Sequence, residues 1–289
     1  MASSVISRSA FYSEEPKDLF FRHHRPEVVA AIVLGHPSFP VAVAGVVADY
    51  ITNKEDVFGA REWARVFGVD TVDPEKELPA KSFYHFWFRP DPLDAQKKVC
   101  ETHLTPVLRP SVVKVPANKD TKASFDDYSL DTFGRLIQNP RQGHRTQYKD
   151  YFKLSAQHRT TSAGPPCWLI MRENVIARNK EYKAQKQEIK KVNAKTQIGY
   201  EMESSILDLA TVVCVHYVCT KKRHLGDAFG TEGEETNARG KERVICDICA
   251  AGQSHEVAVG VFSEIFGLDI KPISTIASAD AGVALMKKF

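Results

Sequence analysis

The chain has 289 residues, a net charge of +3 at neutral pH, 43% hydrophobic residues and 26% charged residues. This composition supports a buried core and excludes a chain that is disordered over most of its length. The small net charge gives no reason to expect a polyanionic partner such as nucleic acid. The length accommodates one large domain or two modest ones.

The beginning of the chain contains no apolar stretch of the kind found in secretory signal peptides. Residues 28–51 form the longest apolar segment, but Gly, His, Pro and Asp interrupt it. We therefore expect a soluble, cytoplasmic protein with no membrane insertion. Six cysteines are present, and in a reducing compartment we expect them to be free thiols.

The first 94 residues predict a small helical segment followed by a linker. Apolar patterns predict two helices before residue 52 and a third over residues 60–68, which Gly68 ends. Residues 70–94 are rich in proline and predict a loop. The aromatic run at residues 82–88 is interpreted as an anchor that holds this linker onto the next domain. The predicted organisation is a helical segment over residues 1–94 and an α+β domain over residues 95–289.

From residue 97 onward, strand and helix patterns alternate at short spacing. The helices are predicted at 130–138, 179–195 and 204–218, and the strands at 102–108, 111–115, 146–154, 167–171 and twice within 242–262. The apolar run at 167–171 has the length of a buried strand, so Trp168 is expected in the core. The sequence predicts an α+β fold with a mixed sheet packed against two or three helices, preceded by the small helical N-terminal segment.

Several blocks of this domain resemble an uncharacterised domain that recurs in proteins of chlamydia-related, amoeba-associated intracellular bacteria. The blocks are ETHL at 101–104, the segments 129–152 and 165–182, GYEMESSILDLATVV from Gly199 and the ending GVALMKKF. The resemblance covers roughly residues 100–289. It implies a bacterium living inside a host cell, where proteins delivered to the host without a classical signal peptide are common. It implies no known activity, cofactor or catalytic residue.

A polar segment between the helix at 130–138 and the following strand predicts an exposed loop, with Gly143 at positive φ. Polar loops held by a rigid scaffold are common locations of binding sites. Tyrosines next to the loop supply the amphipathic area that protein interfaces favour. We therefore expect a protein-interaction module, with a partner that is a protein of a host cell. Its binding surface is predicted to consist of Gln142, His144, Arg145, Gln147, Tyr148 and Tyr151.

An enzyme of unrecognised class is the alternative function. His144 would be the general base, with Glu101 and His103 as candidate neighbours, although no pattern in the sequence brings these residues together. The chain contains no recognisable catalytic motif, and no cofactor is expected. The interaction module is the preferred interpretation for that reason.

A zinc-stabilised domain is a further alternative. Cys214 and Cys219 precede the Cys246-x-x-Cys249 pair by a distance typical of zinc ribbons. However, a helix turns by about 500° over five residues, so the thiols of Cys214 and Cys219 would point in different directions. The sequence therefore predicts no bound metal and cysteines that pack as small hydrophobic side chains.

A nucleic-acid-binding helix is the last alternative. Lys183, Lys186 and Lys190 share one face of the charged helix at 179–195, where they could follow a phosphate backbone. Glu181 and Glu188 dilute this charge. The pattern is more typical of a solvated helix, so nucleic acid is not the expected partner.

Overall fold

The computed structural model describes residues 57–72, 80–117, 122–150, 154–225, 237–245, 254–263, 266–273 and 279–289. Helices and strands alternate along these ranges, which confirms the predicted α+β class. The two helices predicted before residue 52 lie outside the described residues, as do Tyr151, Cys246 and Cys249. No helix in the described ranges is long and apolar enough to cross a membrane.

The first described helix confirms the prediction at residues 60–68. Helix α1 (Ala60–Glu62) continues as a π-helix (Trp63–Phe67), and its buried side chains are those of Trp63, Val66 and Phe67. Gly68 ends it with a left-handed φ of 71°. The widening to a π-helix was not predictable from the apolar spacing. Strand β1 (Asp70–Thr71) follows.

The loop predicted over residues 70–94 is wrong for residues 80–87, which form helix α2 (Ala80–Trp87). Phe83 and Phe86 lie on the buried side of this helix. Their spacing of three places them on one face, where they pack against the core and stabilise the helix. The aromatic run therefore anchors this segment as the sequence indicated, but from a helix. The short helix α3 (Val99–Thr102) follows.

A three-stranded antiparallel sheet occupies the centre of the molecule. Its order is β11-β6-β2, formed by β2 (Val107–Arg109), β6 (Cys167–Met171) and β11 (Met286–Lys288). Every residue of β6 is buried, and Trp168 is only 4% exposed, as predicted. A second antiparallel sheet, β1-β3-β4, consists of β1 with β3 (Val112–Val115) and β4 (Ser124–Asp127).

The largest sheet is mixed, in agreement with the prediction, and has the order β10-β7-β8-β9-β5. Its outer strands β5 (Tyr148–Asp150) and β10 (Ala281–Gly282) pair in parallel with their neighbours, and the inner pairs are antiparallel. The inner strands are β7 (Asn237–Ile245), β8 (Ser254–Ser263) and β9 (Gly267–Ile273).

Four further helices complete the described fold. Helix α4 (Leu130–Gln138) begins at Ser129, whose hydroxyl accepts a hydrogen bond from the Thr132 amide at 3.2 Å. The others are α5 (Ala156–Thr160), α6 (Tyr182–Thr196) and α7 (Ile206–Thr220). Helix α7, which confirms the helix predicted at 204–218, is buried along most of its length and contacts α4 and strands of two sheets.

The buried side chains form two clusters on opposite sides of β6. The first surrounds α7 and includes Phe58, Trp63 and Phe67 from the start of the described chain. The second contains Phe83 and Phe86 of α2 together with residues of α6. The described residues before position 95 therefore pack into the same core as the residues that follow. The division into two domains at residue 94 stays a prediction.

Candidate functional site

The segment for which the sequence predicts a binding surface forms the loop between α4 and β5. Residues 141–145 and Gln147 are exposed, and Thr146 between them is buried. The loop backbone is nevertheless fixed to three other parts of the fold. Its amides donate hydrogen bonds from Arg141 and Gln142 to the Val66 carbonyl at 2.7 and 3.2 Å, from His144 to Val218 at 2.8 Å and from Thr146 to Ile137 at 3.0 Å.

Two glycines permit this close packing. Gly143 has a φ of 93°, as predicted, and a Cβ at this position would overlap the Val218 carbonyl oxygen. Gly267 has a φ of 68°, and a Cβ there would overlap the carbonyl group of Gln147. That same carbonyl accepts a hydrogen bond from the Leu268 amide at 2.8 Å. Backbone contacts therefore fix the loop at Gly143 and at Gln147, and only glycine fits positions 143 and 267 without overlap.

Beside the loop lies a pocket of about 350 Å³, which we call the loop pocket. The stacked rings of Tyr217 and Phe262, with centroids 4.4 Å apart, contribute an aromatic wall. Amide, guanidinium and hydroxyl groups contribute the rest of the lining, from Gln138, Asn139, Arg145, Thr146 and Gln147, with Gly267 completing it. The loop pocket combines an apolar surface with donors and acceptors, as ligand sites commonly do.

An exposed aromatic side chain stands next to the loop pocket. Phe266 precedes Gly267 and is 42% exposed, and the Lys149 ammonium group lies 3.9 Å from its ring centroid. The sequence pattern does not predict a site role for Phe266, Tyr217, Phe262 or Asn139. They meet the loop only because β5 pairs in parallel with β9 and because α7 ends behind the loop. Nothing in the local sequence indicates this pairing.

The predicted binding residues differ in their placement. Arg145 and Gln147 line the loop pocket, Gln142 accepts a hydrogen bond from Arg65 at 3.0 Å, and the His144 ring lies 6.4 Å from the Tyr217 ring. Tyr148 instead packs against the core, with its hydroxyl directed at Gly134 of α4. Burial raises the pKa of this hydroxyl well above its usual range. Tyr148 therefore contributes packing against the core, not exposed binding surface.

His103, a candidate neighbour of His144, lies in a different and buried part of the molecule. Its ring stacks on Tyr200, and its Nε2 lies 3.1 Å from the Tyr200 hydroxyl. The nearby Asp91 carboxylate accepts hydrogen bonds from the Thr102 hydroxyl at 2.6 Å and from the Arg172 guanidinium at 3.3 Å. Burial lowers the pKa of His103 to about 4, although Asp91 opposes this shift, so the imidazole is neutral at pH 7.

Glu101, the other candidate neighbour, also lies apart from His144. Its exposed carboxylate accepts a hydrogen bond at 2.6 Å from the Lys98 amide and caps its own short helix α3. His144 contacts Tyr217 and the end of α7, whereas His103 contacts Tyr200 and Phe86. The contacts of the described residues therefore do not bring the three candidate acid and base groups together.

The cysteines of α7 point to different surroundings, in agreement with the helical geometry. Cys214 is completely buried in the first core cluster, and Cys219 is exposed near the end of the helix. Burial raises the pKa of the Cys214 thiol well above its usual range. In the described part of the chain, no three His, Cys, Asp or Glu side chains form a group suited to a metal ion.

Basic side chains surround the loop and the adjoining end of α7. Arg65 contacts Gln142 directly, and the Arg141 side chain packs over Gly68. Lys221 and Lys222 follow α7 immediately, where Lys221 donates its amide to the Tyr217 carbonyl at 2.8 Å. All four side chains are exposed, as is that of Arg145. This part of the surface therefore carries a positive potential that favours acidic ligands.

Comparisons of the chain with protein-family models, with curated proteins and with solved structures found no match.

Proposed function

We propose that this protein is an interaction module that binds an acidic segment of a partner protein. The contact area is the loop surface, which we define as residues 139–147 together with Tyr217, Phe262 and Phe266. The observation that supports this proposal is a loop with a fixed backbone and exposed side chains around a pocket. A preorganised surface of this kind loses little conformational entropy when a partner binds, so more of the contact energy contributes to affinity.

The side chains of the loop surface match the chemistry of a polypeptide. Asn139 and Gln147 offer amide donors and acceptors for a peptide backbone, and Arg145 offers a guanidinium group for a carboxylate. Phe266 provides the exposed aromatic area that interfaces favour at their centre. The surrounding lysines and arginines attract acidic sequences and reject basic ones, which supports specificity and rapid association.

The setting of this interaction is part of the same proposal. The resemblance to the domain of chlamydia-related intracellular bacteria supports a role directed at the host cell, with a host protein as the partner. The chain would then act in the bacterial cytoplasm or after delivery to the host. No contact of the described residues favours the enzyme alternative, since the candidate groups around His144 do not converge.

The proposal is tested by selecting peptides from a displayed random library on the full chain. The double variant Arg145→Ala/Gln147→Ala removes two exposed side chains that line the loop pocket. We expect the selected peptides to be acidic and to bind this variant about tenfold or more weakly, as measured by calorimetry. The melting temperature should not change, because both side chains are exposed.

A matched control removes charge from another exposed surface. Lys183 and Lys190 lie on α6, and Lys183→Ala/Lys190→Ala should leave peptide binding unchanged. Selected peptides without acidic enrichment would contradict the proposed acidic partner. Equal binding by the wild type and both variants would show that the loop surface is not the binding site.

A further inference from the structure

Three polar side chains of the loop pocket have no partner within the described part of the chain. The Arg145 guanidinium and the carboxamides of Gln138 and Asn139 line the pocket without a hydrogen bond or an ion pair to any described residue. None of the described lining residues is an aspartate or a glutamate. The loop pocket therefore presents a positive charge that no described carboxylate of the lining neutralises, and this charge favours an anionic ligand group.

Arg145 projects from a backbone that is fixed on both sides. The preceding amide, of His144, donates a hydrogen bond to the Val218 carbonyl at 2.8 Å. The following amide, of Thr146, donates one to the Ile137 carbonyl at 3.0 Å. The position of the guanidinium is therefore restricted before a ligand binds, so less conformational entropy is lost on binding. A guanidinium group presents parallel N–H donors that fit the two oxygens of a carboxylate.

The loop pocket has walls from several parts of the fold. Gln138 and Asn139 contribute from the end of α4, Tyr217 from α7 and Phe262 from β8, in addition to the loop itself. A polypeptide that continues past the pocket needs a way in and a way out between these walls, whereas a chain end needs only one opening. The walls therefore favour the end of a polypeptide over an internal segment.

The polar groups of the lining fit the carboxyl end of a polypeptide. A carboxylate only accepts hydrogen bonds, which suits Arg145, but the carboxamides of Gln138 and Asn139 each carry an acceptor oxygen as well as donor N–H groups. The last residue of a polypeptide offers both kinds of group, because its peptide N–H lies one carbon atom away from its carboxylate. A chain terminus can therefore satisfy the guanidinium and a carboxamide together.

An apolar contact is available next to the loop pocket. The Phe266 ring is 42% exposed, and Phe266 precedes the lining residue Gly267. An apolar side chain on the last residue of the partner would bury part of this ring. Aspartate and glutamate side chains carry a carboxylate without such an apolar group, so they match the combination of Arg145 and Phe266 less well.

We propose that the loop pocket binds the C-terminal residue of the partner protein. Its carboxylate contacts Arg145, its peptide N–H contacts the carboxamide of Gln138 or Asn139, and its apolar side chain packs against Phe266. This inference rests on the function proposed above, since the acidic residues that precede the chain end are those that contact the surrounding basic surface.

The test compares two random peptide libraries that are displayed for selection on the full chain. In the first the peptides have free carboxyl ends, and in the second their carboxyl ends are fused to the display protein. We expect acidic peptides with an apolar last residue to be selected from the first library only. Equal selection of acidic peptides from both libraries would overturn this inference and leave the proposed function intact, whereas a lack of acidic peptides from both would overturn the two together.

A peptide selected from the first library is then synthesised with a free carboxylate and with a C-terminal amide. Amidation should weaken binding to the wild type by about tenfold or more, as measured by calorimetry, because the charge-assisted contact with Arg145 is lost. In the variant Arg145→Gln, the two peptides should bind within about twofold of each other. The melting temperature should not change, since Arg145 is exposed.

Arg141→Gln is the matched control, because it removes the same charge from the same loop. The Arg141 side chain packs over Gly68 and is not among the described residues that line the loop pocket. This variant should keep the full difference between the free and the amidated peptide, even where its affinity for both falls. The inference is wrong if amidation has no effect on the wild type, or if Arg141→Gln and Arg145→Gln reduce the difference to the same extent.

Discussion

The imidazole of His103 is held in its neutral form in the interior of this protein. His103 is 5% exposed and Asp91 beside it is 2% exposed, and both take part in hydrogen bonds with Thr102. A buried imidazole is stable when neutral because desolvation penalises its charged form. The contacts of His103 therefore support a structural role for this residue, and they make the stability of the fold dependent on pH.

We expect the free energy of unfolding to decrease as the pH falls from about 6.5 to about 4. His103 has a folded-state pKa of about 4, well below its ordinary value of 6.5, so the unfolded chain binds the proton first. The loss from this residue is at most ~3 kcal/mol, since each pKa unit corresponds to about 1.4 kcal/mol. His216 and His224 also have lowered pKa values and add to the effect. Urea unfolding between pH 7 and pH 4.5 measures it.

The variant His103→Gln isolates the contribution of His103 to the pH dependence of stability. It should be less stable than the wild type at pH 7 but should lose less stability on acidification. Asp91 does not obscure the result, because its pKa is lowered from 3.8 and its contribution is lost only below that range. Parallel pH profiles of the wild type and the variant would contradict the assignment.

At the scale of elements, strand β6 separates the two core clusters. Leu169 and Met171 belong to the cluster around α7, whereas Trp168 and Ile170 belong to the cluster around α2 and α6. This division follows from the alternation of side chains along a strand. Both faces of β6 are covered, which explains why its sequence is continuously apolar.

Replacing Trp168 by alanine should therefore destabilise the protein by about 3–5 kcal/mol. The indole is nearly completely buried, and its removal leaves a cavity in the second core cluster beside Gly59. The backbone hydrogen bonds of Trp168 with Phe289 remain available to the variant, so the loss reports side-chain packing. Chemical denaturation measures the difference.

Trp87→Ala is the matched control at the edge of the same cluster. Trp87 is only partly buried, so this variant should cost less than Trp168→Ala. An unchanged midpoint for Trp168→Ala would show that β6 does not lie in the core.

At the scale of the whole molecule, one buried charge cluster joins elements that are distant in sequence. The Asp208 carboxylate on α7 accepts contacts from Arg109 on β2 at 3.0 Å and from Lys288 on β11 at 2.7 Å. Arg109 also donates hydrogen bonds to the Cys167 sulfur at 3.2 and 3.4 Å and to the carbonyls of Ala163 and Pro165. The cluster links the middle of the chain to its last residues.

Removing the charge of Asp208 should be costly because Arg109 would then be buried without a counter-ion. We expect Asp208→Asn to lower the free energy of unfolding by about 3–5 kcal/mol. In a double-mutant cycle, Arg109→Met/Asp208→Leu should cost clearly less than the sum of Arg109→Met and Asp208→Leu. The double variant removes both buried partners together, and only the partly exposed Lys288 loses its counter-ion.

The exposed ion pair between Arg135 and Asp126, at 2.7 Å, supplies the control. Arg135→Ala should change stability by at most about 1 kcal/mol, because solvent screens this pair. Additive costs in the double-mutant cycle would rule out the coupling of Arg109 and Asp208.

Features of the fold that have local causes could be predicted from the sequence. Residues close together in the chain account for the apolar periodicity of α4 and α7, the apolar run of β6 and the turn at Gly143. Local hydrogen bonding and side-chain spacing decide such elements, so they could be predicted correctly. The exposed position of the loop followed from its polar residues.

Packing between distant segments determines which residues far apart in the chain come into contact. It made α2 a helix by burying Phe83 and Phe86, and it placed Phe266 beside the loop through the pairing of β5 with β9. It also separates His103, which contacts Tyr200, from His144, which contacts Tyr217. These outcomes depend on packing between segments far apart in the chain, and local periodicity contains no information about such contacts.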